Sequence, residues 1–533
     1  MTDGEFILPR VQYSHNGSNH VSVIDMETSN NFEKHSASDV VSQARTAFNS
    51  GKTKPYEFRL GQLKNLRLFL VENGPVICKA LHDDLRKPEQ ESYILEINFV
   101  IVEIDYAIKH LKEWMKPEVP EKPLLNFFDK IKVYSDPLGV VLVMGAWNYP
   151  VNLTLSPLVG AIAAGNCCVI KPSDQSTHTS RIMHDLLPKY LDKDCYPVYL
   201  GGIPETTDLL KERFDYIFYT GSTTVGKIIH KAAANHLTPC TLELGGKSPT
   251  FIDSTADIEM ATKRIIWGKF TNCGQTCVAP DYILCTQEVE EKFLKCAEKC
   301  IHEFYGNSIK QSENLGRMVN ERSFIRVCNL LKNQKLALGG NVDAGELYIS
   351  PTILVDVKPN SDVMNEEIFG PVLPIVRVKD AEDAVKFINE RDKPLALYIF
   401  TKSQKTKDLF IENTSSGGVC INDVLMHITV DSLPFGGVGS SGMGSYHGKK
   451  SFDTFVHKKS VLLRSFNAIG ETAQSPRYPP YSEKNTKLLK FATTMLSRSI
   501  NFTRMFSYVV VFALGAGITV GGFYVTKHFE QKE

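Results

Sequence analysis

Short, uninterrupted apolar runs separated by helix-length stretches are the feature that most restricts how this chain can fold. Residues 138–144, 167–170, 196–200 and 216–220 form one set; a second set begins near Thr250 and includes 282–285, 374–378 and 397–400. A strand wetted on one face alternates apolar and polar residues, whereas a strand buried on both faces does not. The runs therefore predict parallel sheets covered by helices on both sides, and the two sets predict two α/β lobes. At 533 residues the chain is too long for a single ordinary core. Ahead of the first set, 38–79 reads as helices broken at Gly51 and Pro55. A further helical stretch, 91–114, is ended by Pro117, Pro120 and Pro123.

The two ends differ from this body. Residues 1–37 are polar, with Asn and Ser clusters and no signal-peptide core, and read as a flexible extension. From Phe506 to Val525 there is no charge, over about the length needed to cross a hydrocarbon layer. Arg504 and Lys527 bracket that stretch, and Tyr508 and Tyr524 stand where an interfacial belt would lie. The expected topology is a transmembrane tail anchor with the body on the cytosolic side. The alternative is a buried terminal helix, for which Gly515, Gly517, Gly521 and Gly522 are poor formers in water. Residues 475–505 carry Lys484, Lys487, Lys490, Arg498 and Arg504 among apolar positions, as a membrane-surface segment or a plain linker would. Sixty basic residues balance sixty acidic ones, so no net field favours nucleic acid.

Three glycine-rich stretches compete for a phosphate. Gly437-Val438-Gly439-Ser440-Ser441-Gly442 has the spacing of a dinucleotide fingerprint but no βαβ context, and reads as a tight loop. Gly221-Ser222-Thr223-Thr224-Val225-Gly226-Lys227 nearly spells a P-loop, yet Ile228 stands where a Mg²⁺-binding hydroxyl is required. What remains is a loop that follows a strand and opens a helix, whose N–H groups favour a phosphate. Gly245-Gly246-Lys247 is too short to bind one by spacing alone. Twelve cysteines lack a disulfide framework and read as reduced thiols. Cys277 sits in a polar, glycine-containing stretch suited to a stabilised thiolate, unlike the apolar setting of Cys167 and Cys168, and Cys273 in the same stretch has no His partner for zinc.

Together these segments resemble the aldehyde dehydrogenase superfamily over about 38–465. Leu242-Glu243-Leu244-Gly245-Gly246-Lys247 looks like its glutamate signature and Gly274-Gln275-Thr276-Cys277 its cysteine signature. Glu367-Ile368-Phe369-Gly370-Pro371 and Pro434-Phe435-Gly436-Gly437 follow in the family's order. Gly442-Met443-Gly444-Ser445-Tyr446-His447-Gly448 is similar to the class 3 branch, and the apolar tail to its membrane-bound members that act on fatty aldehydes.

The resemblance implies two Rossmann-like parallel-sheet lobes with a small oligomerisation element. Residues 38–245 would bind NAD(P), with an excursion near 115–137 into that element. Residues 246–440 would form the catalytic lobe, 441–466 would return to the element, and 467–505 would lead to the anchor at 506–525. It further implies that the Cys277 thiolate attacks an aldehyde, with the oxyanion held by the Asn148 amide and the Cys277 N–H. Glu243 would activate the water that hydrolyses the resulting thioester. For the cofactor, Gly221, Ser222, Thr223, Thr224, Val225 and Gly226 would face the pyrophosphate. Lys171 would hold the adenosine ribose, Glu367 the nicotinamide ribose, and Trp147 and Phe369 would flank the ring. Asp174 stands where the family has Glu, one methylene longer, which leaves room for a 2′-phosphate and opens the choice between NAD and NADP. Long-chain aliphatic aldehydes as substrate, an endoplasmic reticulum membrane and a homodimer are the remaining implications; no metal is implied.

Overall fold

The computed structural model describes residues 36–122, 126, 129–464, 466 and 468–496. In chain order the strands are β1 (Lys130–Pro137), β2 (Val140–Met144), β3 (Cys167–Lys171), β4 (Tyr216–Thr220) and β5 (Cys240–Glu243). Next come β6 (Pro249–Ile252), β7 (Tyr282–Cys285), β8 (Lys335–Leu338) and the short pair β9 (Val342–Asp343) and β10 (Tyr348–Ile349). They are followed by β11 (Thr352–Val355), β12 (Val372–Arg377), β13 (Ala396–Phe400), β14 (Gly418–Ile421), β15 (Gly442–Met443) and β16 (Val456–Leu463). One sheet has the order β15-β5-β4-β2-β3 and the other β14-β13-β6-β7-β12-β11-β8. Both are parallel except at one edge, where β15 runs against β5 and β8 against β11.

The apolar runs behave as predicted. Every residue of β2, β3 and β4 is buried. In the second sheet the burial splits by alternation: Ile252, Ile283, Ile375 and Tyr398 enter one core cluster, and Phe251, Leu284, Val376 and Leu397 enter the other. A strand sends successive side chains to opposite faces, so this sheet is covered on both sides. Helix Asn152–Ala164, apolar all round, is buried along its whole length and stops at Gly165 in the left-handed region (φ 89°). The run 196–200 forms no strand. Pro197 has no N–H to donate, and only an isolated bridge joins Val198 to Ile170.

The segment before β1 resolves into helices Ala37–Asn49, Tyr56–Glu72 and Gly74–Leu85, the first capped by Ser36. The stretch read as one helix over 91–114 is helical throughout but interrupted by a π-helical turn, Tyr93–Asn98, between Glu89–Ser92 and Phe99–Trp114. β1 and β16 pair antiparallel over eight residues, from Lys130 opposite Leu463 to Pro137 opposite Val456. That ribbon joins the excursion and the return expected near 115–137 and 441–466. Helix Glu483–Leu496 lies in the basic C-terminal segment, with Leu488 and Phe491 exposed. Among the described residues no helix is long and apolar enough to cross a membrane. The apolar stretch 506–525 and nearly all of the N-terminal extension lie outside them.

Candidate active site

The first sheet reverses direction at β2, which has β3 on one side and β4 on the other. In a doubly wound sheet the crevice beyond the carboxyl ends at such a point is where ligands sit. Residues 145–150 leave β2 there. Glu243 ends β5, and the next five residues carry the chain into β6 of the second sheet. The site is therefore built where the lobes meet.

The turn ahead of Cys277 is strained. After helix Ile258–Phe270, residues Asn272, Cys273 and Gly274 are all left-handed, with φ of 53°, 56° and 72°. That conformation costs a non-glycine residue about 1–2 kcal/mol, so it must be held from outside. The Asn272 N–H donates to Glu91 Oε2 (2.9 Å), and its side-chain amide to the carbonyls of Asn148 (2.8 Å) and Gln275 (3.2 Å). The Gln275 side chain donates to the carbonyls of Asn272 (3.1 Å) and Arg317 (2.9 Å) and accepts the Val319 N–H (3.0 Å). A Cβ on Gly274 would lie 2.3 Å from the Gly370 oxygen, so backbone passes too close there for any other residue. Cys273 thus belongs to a left-handed turn, and it is fully buried.

The electrostatics correct one sequence expectation. Burial pushes the Cys277 thiol up to about 12, and the charges of Glu367 and Glu243 add to the rise. The N–H groups of Cys277 and Val278 work against that rise and favour the thiolate. The surroundings, polar in sequence, stabilise the neutral thiol in the fold, because the nearby charges are negative. Glu243 is buried, neither carboxylate oxygen has a hydrogen-bond partner among the described residues, and burial holds its carboxyl well above the usual range. Glu367 is raised to about 8 by burial and then by Asp281, against the Gly246 N–H and Lys247. Asn148 is buried and donates one amide hydrogen to the Gln275 carbonyl (3.1 Å), which fixes its rotation and leaves the second free to meet an oxyanion. The Tyr149 and Thr276 hydroxyls meet at 2.8 Å beside it.

The residues expected around a dinucleotide fit one. Lys171 is buried at the end of β3, donates to the Pro172 carbonyl (3.3 Å) and faces the carboxylates of Asp174 and Glu205; burial lowers its pKa. Asp174 is exposed. The Gly221–Gly226 loop opens helix Thr223–Ala234, with Ser222 as N-cap and its hydroxyl accepting the Val225 N–H (3.4 Å). Thr224 and Val225 are exposed on the first turn, where N–H groups and the helix dipole favour phosphate. Trp147 and Phe369 stand edge to face at 5.3 Å between centroids, and Phe369 takes a left-handed φ of 47°. The stretch 437–442 is the tight loop expected: a Cβ on Gly437 would meet the Ser441 oxygen at 2.0 Å.

Several residues that build the site were not visible in the sequence. Lys87 reaches it from the connection after helix Gly74–Leu85, Glu91 and Glu96 from the helical stretch that follows, and Glu205 joins Lys171 from helix Ile203–Leu209. Lys247 ties Asp281 (2.6 Å) to the carbonyls of Val363 and Glu366 (2.9 Å each), fastening the Glu367 loop to the crossing segment. None of these carries a local signature. A buried Lys or Glu looks like any surface charge until its partner is known.

A sequence profile described as the aldehyde dehydrogenase family matches residues 18–461. The mouse protein named aldehyde dehydrogenase, dimeric NADP-preferring, is 55% identical over 447 residues, covering 84% of this chain and 98% of that one. Mouse aldehyde dehydrogenase family 3 member A2 is 52% identical over 451 residues, covering 85% and 93%. Among solved structures, Staphylococcus aureus AldH in a substrate-bound state superposes with a TM-score of 0.83 at 42% identity, covering 85% of this chain and 99% of that one. A glyceraldehyde-3-phosphate dehydrogenase from Methanocaldococcus jannaschii, complexed with NADP, superposes with a TM-score of 0.73 at 27% identity, covering 81% and 96%.

Proposed function

The chain belongs to the aldehyde dehydrogenase family and oxidises aldehydes to acids with NAD(P), and from that premise we propose how its residues divide the work and which aldehydes it takes. The observation that carries the division is the nearness of Glu243 and Glu367 to Cys277, close enough for both carboxylates to act on its thiol. Cys277 loses its proton on attack, and its sulfur bonds to the aldehyde carbon as a thiohemiacetal. The free N–H of the Asn148 amide and the Cys277 N–H hold the oxyanion. When bound, the dinucleotide supplies the hydride acceptor. Glu243 has no hydrogen bond to give up, so it is available to take a proton from water attacking the thioester, and the acid leaves. Lys171, Glu205 and Glu367 hold ribose hydroxyls, and the short Asp174 side chain admits a 2′-phosphate, so both NAD and NADP are used.

The substrate we propose is a medium- or long-chain aliphatic aldehyde. In support, Ala146, Tyr149 and Leu153 form a separate apolar cluster with Leu95, directly beside Asn148. Such aldehydes partition into bilayers, and an anchor at 506–525 would hold the body on the cytosolic face of a membrane, the endoplasmic reticulum by preference. A homodimer, built with the β1–β16 ribbon, is the proposed assembly, in keeping with the relative named as dimeric. Purified full-length protein in detergent should form NAD(P)H faster with a hexadecanal-like substrate than with short or aromatic aldehydes, and Cys277→Ala should form none. Faster turnover of the short or aromatic compounds would sink the substrate proposal. Persistent activity in Cys277→Ala would sink the mechanism. A fusion of 475–533 that stays in the cytosol would remove the anchor.

A further inference from the structure

Two groups have to be held for the chemistry above: the left-handed turn leading to Cys277 and the peptide that carries the Asn148 amide. Both are gripped from one short segment, 87–96. Glu91 Oε2 accepts the Asn272 N–H at 2.9 Å, the first residue of the strained turn. Lys87 is fully buried; it donates to the Asn148 carbonyl at 2.9 Å, pairs with Glu96 and lies 4.0 Å from the centre of the Tyr149 ring. Glu96, also fully buried, uses its other oxygen for the N–H groups of Val151 (2.9 Å) and Asn152 (3.1 Å). The loop 148–152 is thereby clasped on both sides of Tyr149.

Helix geometry explains how one segment serves both. In an α-helix, residues five apart point roughly 140° from each other. A π-helical turn closes at i to i+5, so residues with that spacing share a face. The π turn Tyr93–Asn98 begins two residues after Glu91 and contains Glu96, and both carboxylates reach the lobe boundary. A π turn is less stable than the α-helix it replaces and is retained where a site needs it.

We infer that 87–96 is a two-pronged positioning segment, in which Glu91 sets the nucleophile turn and the Lys87–Glu96 pair sets the oxyanion amide. It rests on the assignment of Cys277 and Asn148 to those tasks. The prongs are separable, because alkylation of Cys277 by iodoacetamide needs the nucleophile but forms no oxyanion, whereas aldehyde turnover needs both.

The test uses full-length protein, with cofactor affinity and thermal midpoint as checks on folding. Glu91→Leu should lower both the alkylation rate and kcat/KM for aldehyde by roughly ten- to a hundredfold, the cost of a small misplacement at the reacting atoms. Glu91→Gln, whose amide oxygen can accept the same N–H, should recover both. The neutral pair Lys87→Met with Glu96→Gln should lower kcat/KM by a similar factor while alkylation stays near the wild-type rate. Wild-type kcat/KM in Glu91→Leu, or Glu91→Gln as impaired as Glu91→Leu, overturns the first prong. Equal losses of alkylation and turnover in the double variant overturn the second. If Cys277→Ala itself stays active, the assignment beneath both has failed, a result distinct from either.

Discussion

Gly245→Ala offers a sharp test of how the crossing segment sets the cofactor end of the site. A Cβ at this position would lie 2.0 Å from Glu367 Oε2, 2.7 Å from its carboxyl carbon and 2.9 Å from Oε1. To reach the 3.4 Å of ordinary contact the carboxylate must retreat by about 1.4 Å. Gly245 does not have a positive φ, so the backbone tolerates alanine and the effect is transmitted through Glu367. The retreat pulls Glu367 from the Gly246 N–H and from the ribose hydroxyl proposed for it. A hydrogen bond to a charged group contributes about 1.5–3 kcal/mol, so kcat/KM for the cofactor should fall roughly ten- to 150-fold. Initial rates at varied NAD and NADP measure this directly, beside the thermal midpoint. In a Glu367→Ala background the three atoms nearest the extra methyl are gone, and Gly245→Ala should then cost little. An undiminished penalty in that background, or no penalty in the wild type, would refute the reasoning.

Replacing Glu243 by Gln removes the group assigned to water activation. A first rapid formation of about one equivalent of NAD(P)H should then precede a steady state slower by roughly 10²–10⁴, and an unchanged steady state in stopped-flow traces would count against that role. Asp174→Glu restores the missing methylene, so the ratio of specificity constants for NAD over NADP should rise; a ratio that stays put would remove Asp174 as a determinant. Burial raises the thiols of Cys78 and Cys240 to about 11 and those of Cys273 and Cys277 to about 12. Unfolded cysteine ionises near about 8.5, so these groups stabilise the fold fully below that pH and lose their contribution as pH climbs toward 11–12. Calorimetry from pH 8 to 11 should show a falling midpoint, and a flat one would contradict the raised values.

Most of the scaffold was legible because a strand buried on both faces leaves a run that no surface segment shares. The runs at β2, β3 and β4 and both faces of the second sheet follow from that alone. The exception, 196–200, failed for a local reason: Pro197 interrupts the ladder. At the site, Cys277, Glu243, Asn148 and Glu367 could be named because ordered blocks surround them. What their environment does to them could not, since the Cys277 thiol is raised by burial under distant segments and then by Glu367, 90 positions later, and Glu243, 34 earlier. The supporting groups Lys87, Glu91, Glu96 and Glu205 stayed hidden for the same reason. Each is an ordinary charge in sequence and acquires its task from a partner far along the chain.

The pairing of β15 with β5 has a consequence for how the molecule comes into being. Glu243, at the end of the first lobe's parallel strands, lies opposite Gly442, and Lys130 of the ribbon lies opposite Leu463. A ribosome synthesises the whole second lobe between the two halves of each contact. The first lobe therefore emerges with an unpaired edge beside Glu243, to be closed only when nearly all of the folded body has been made. Chain termination anywhere between the lobes would leave that edge open, a template for pairing with other chains. The strand that carries Glu243 is thus among the last to be completed.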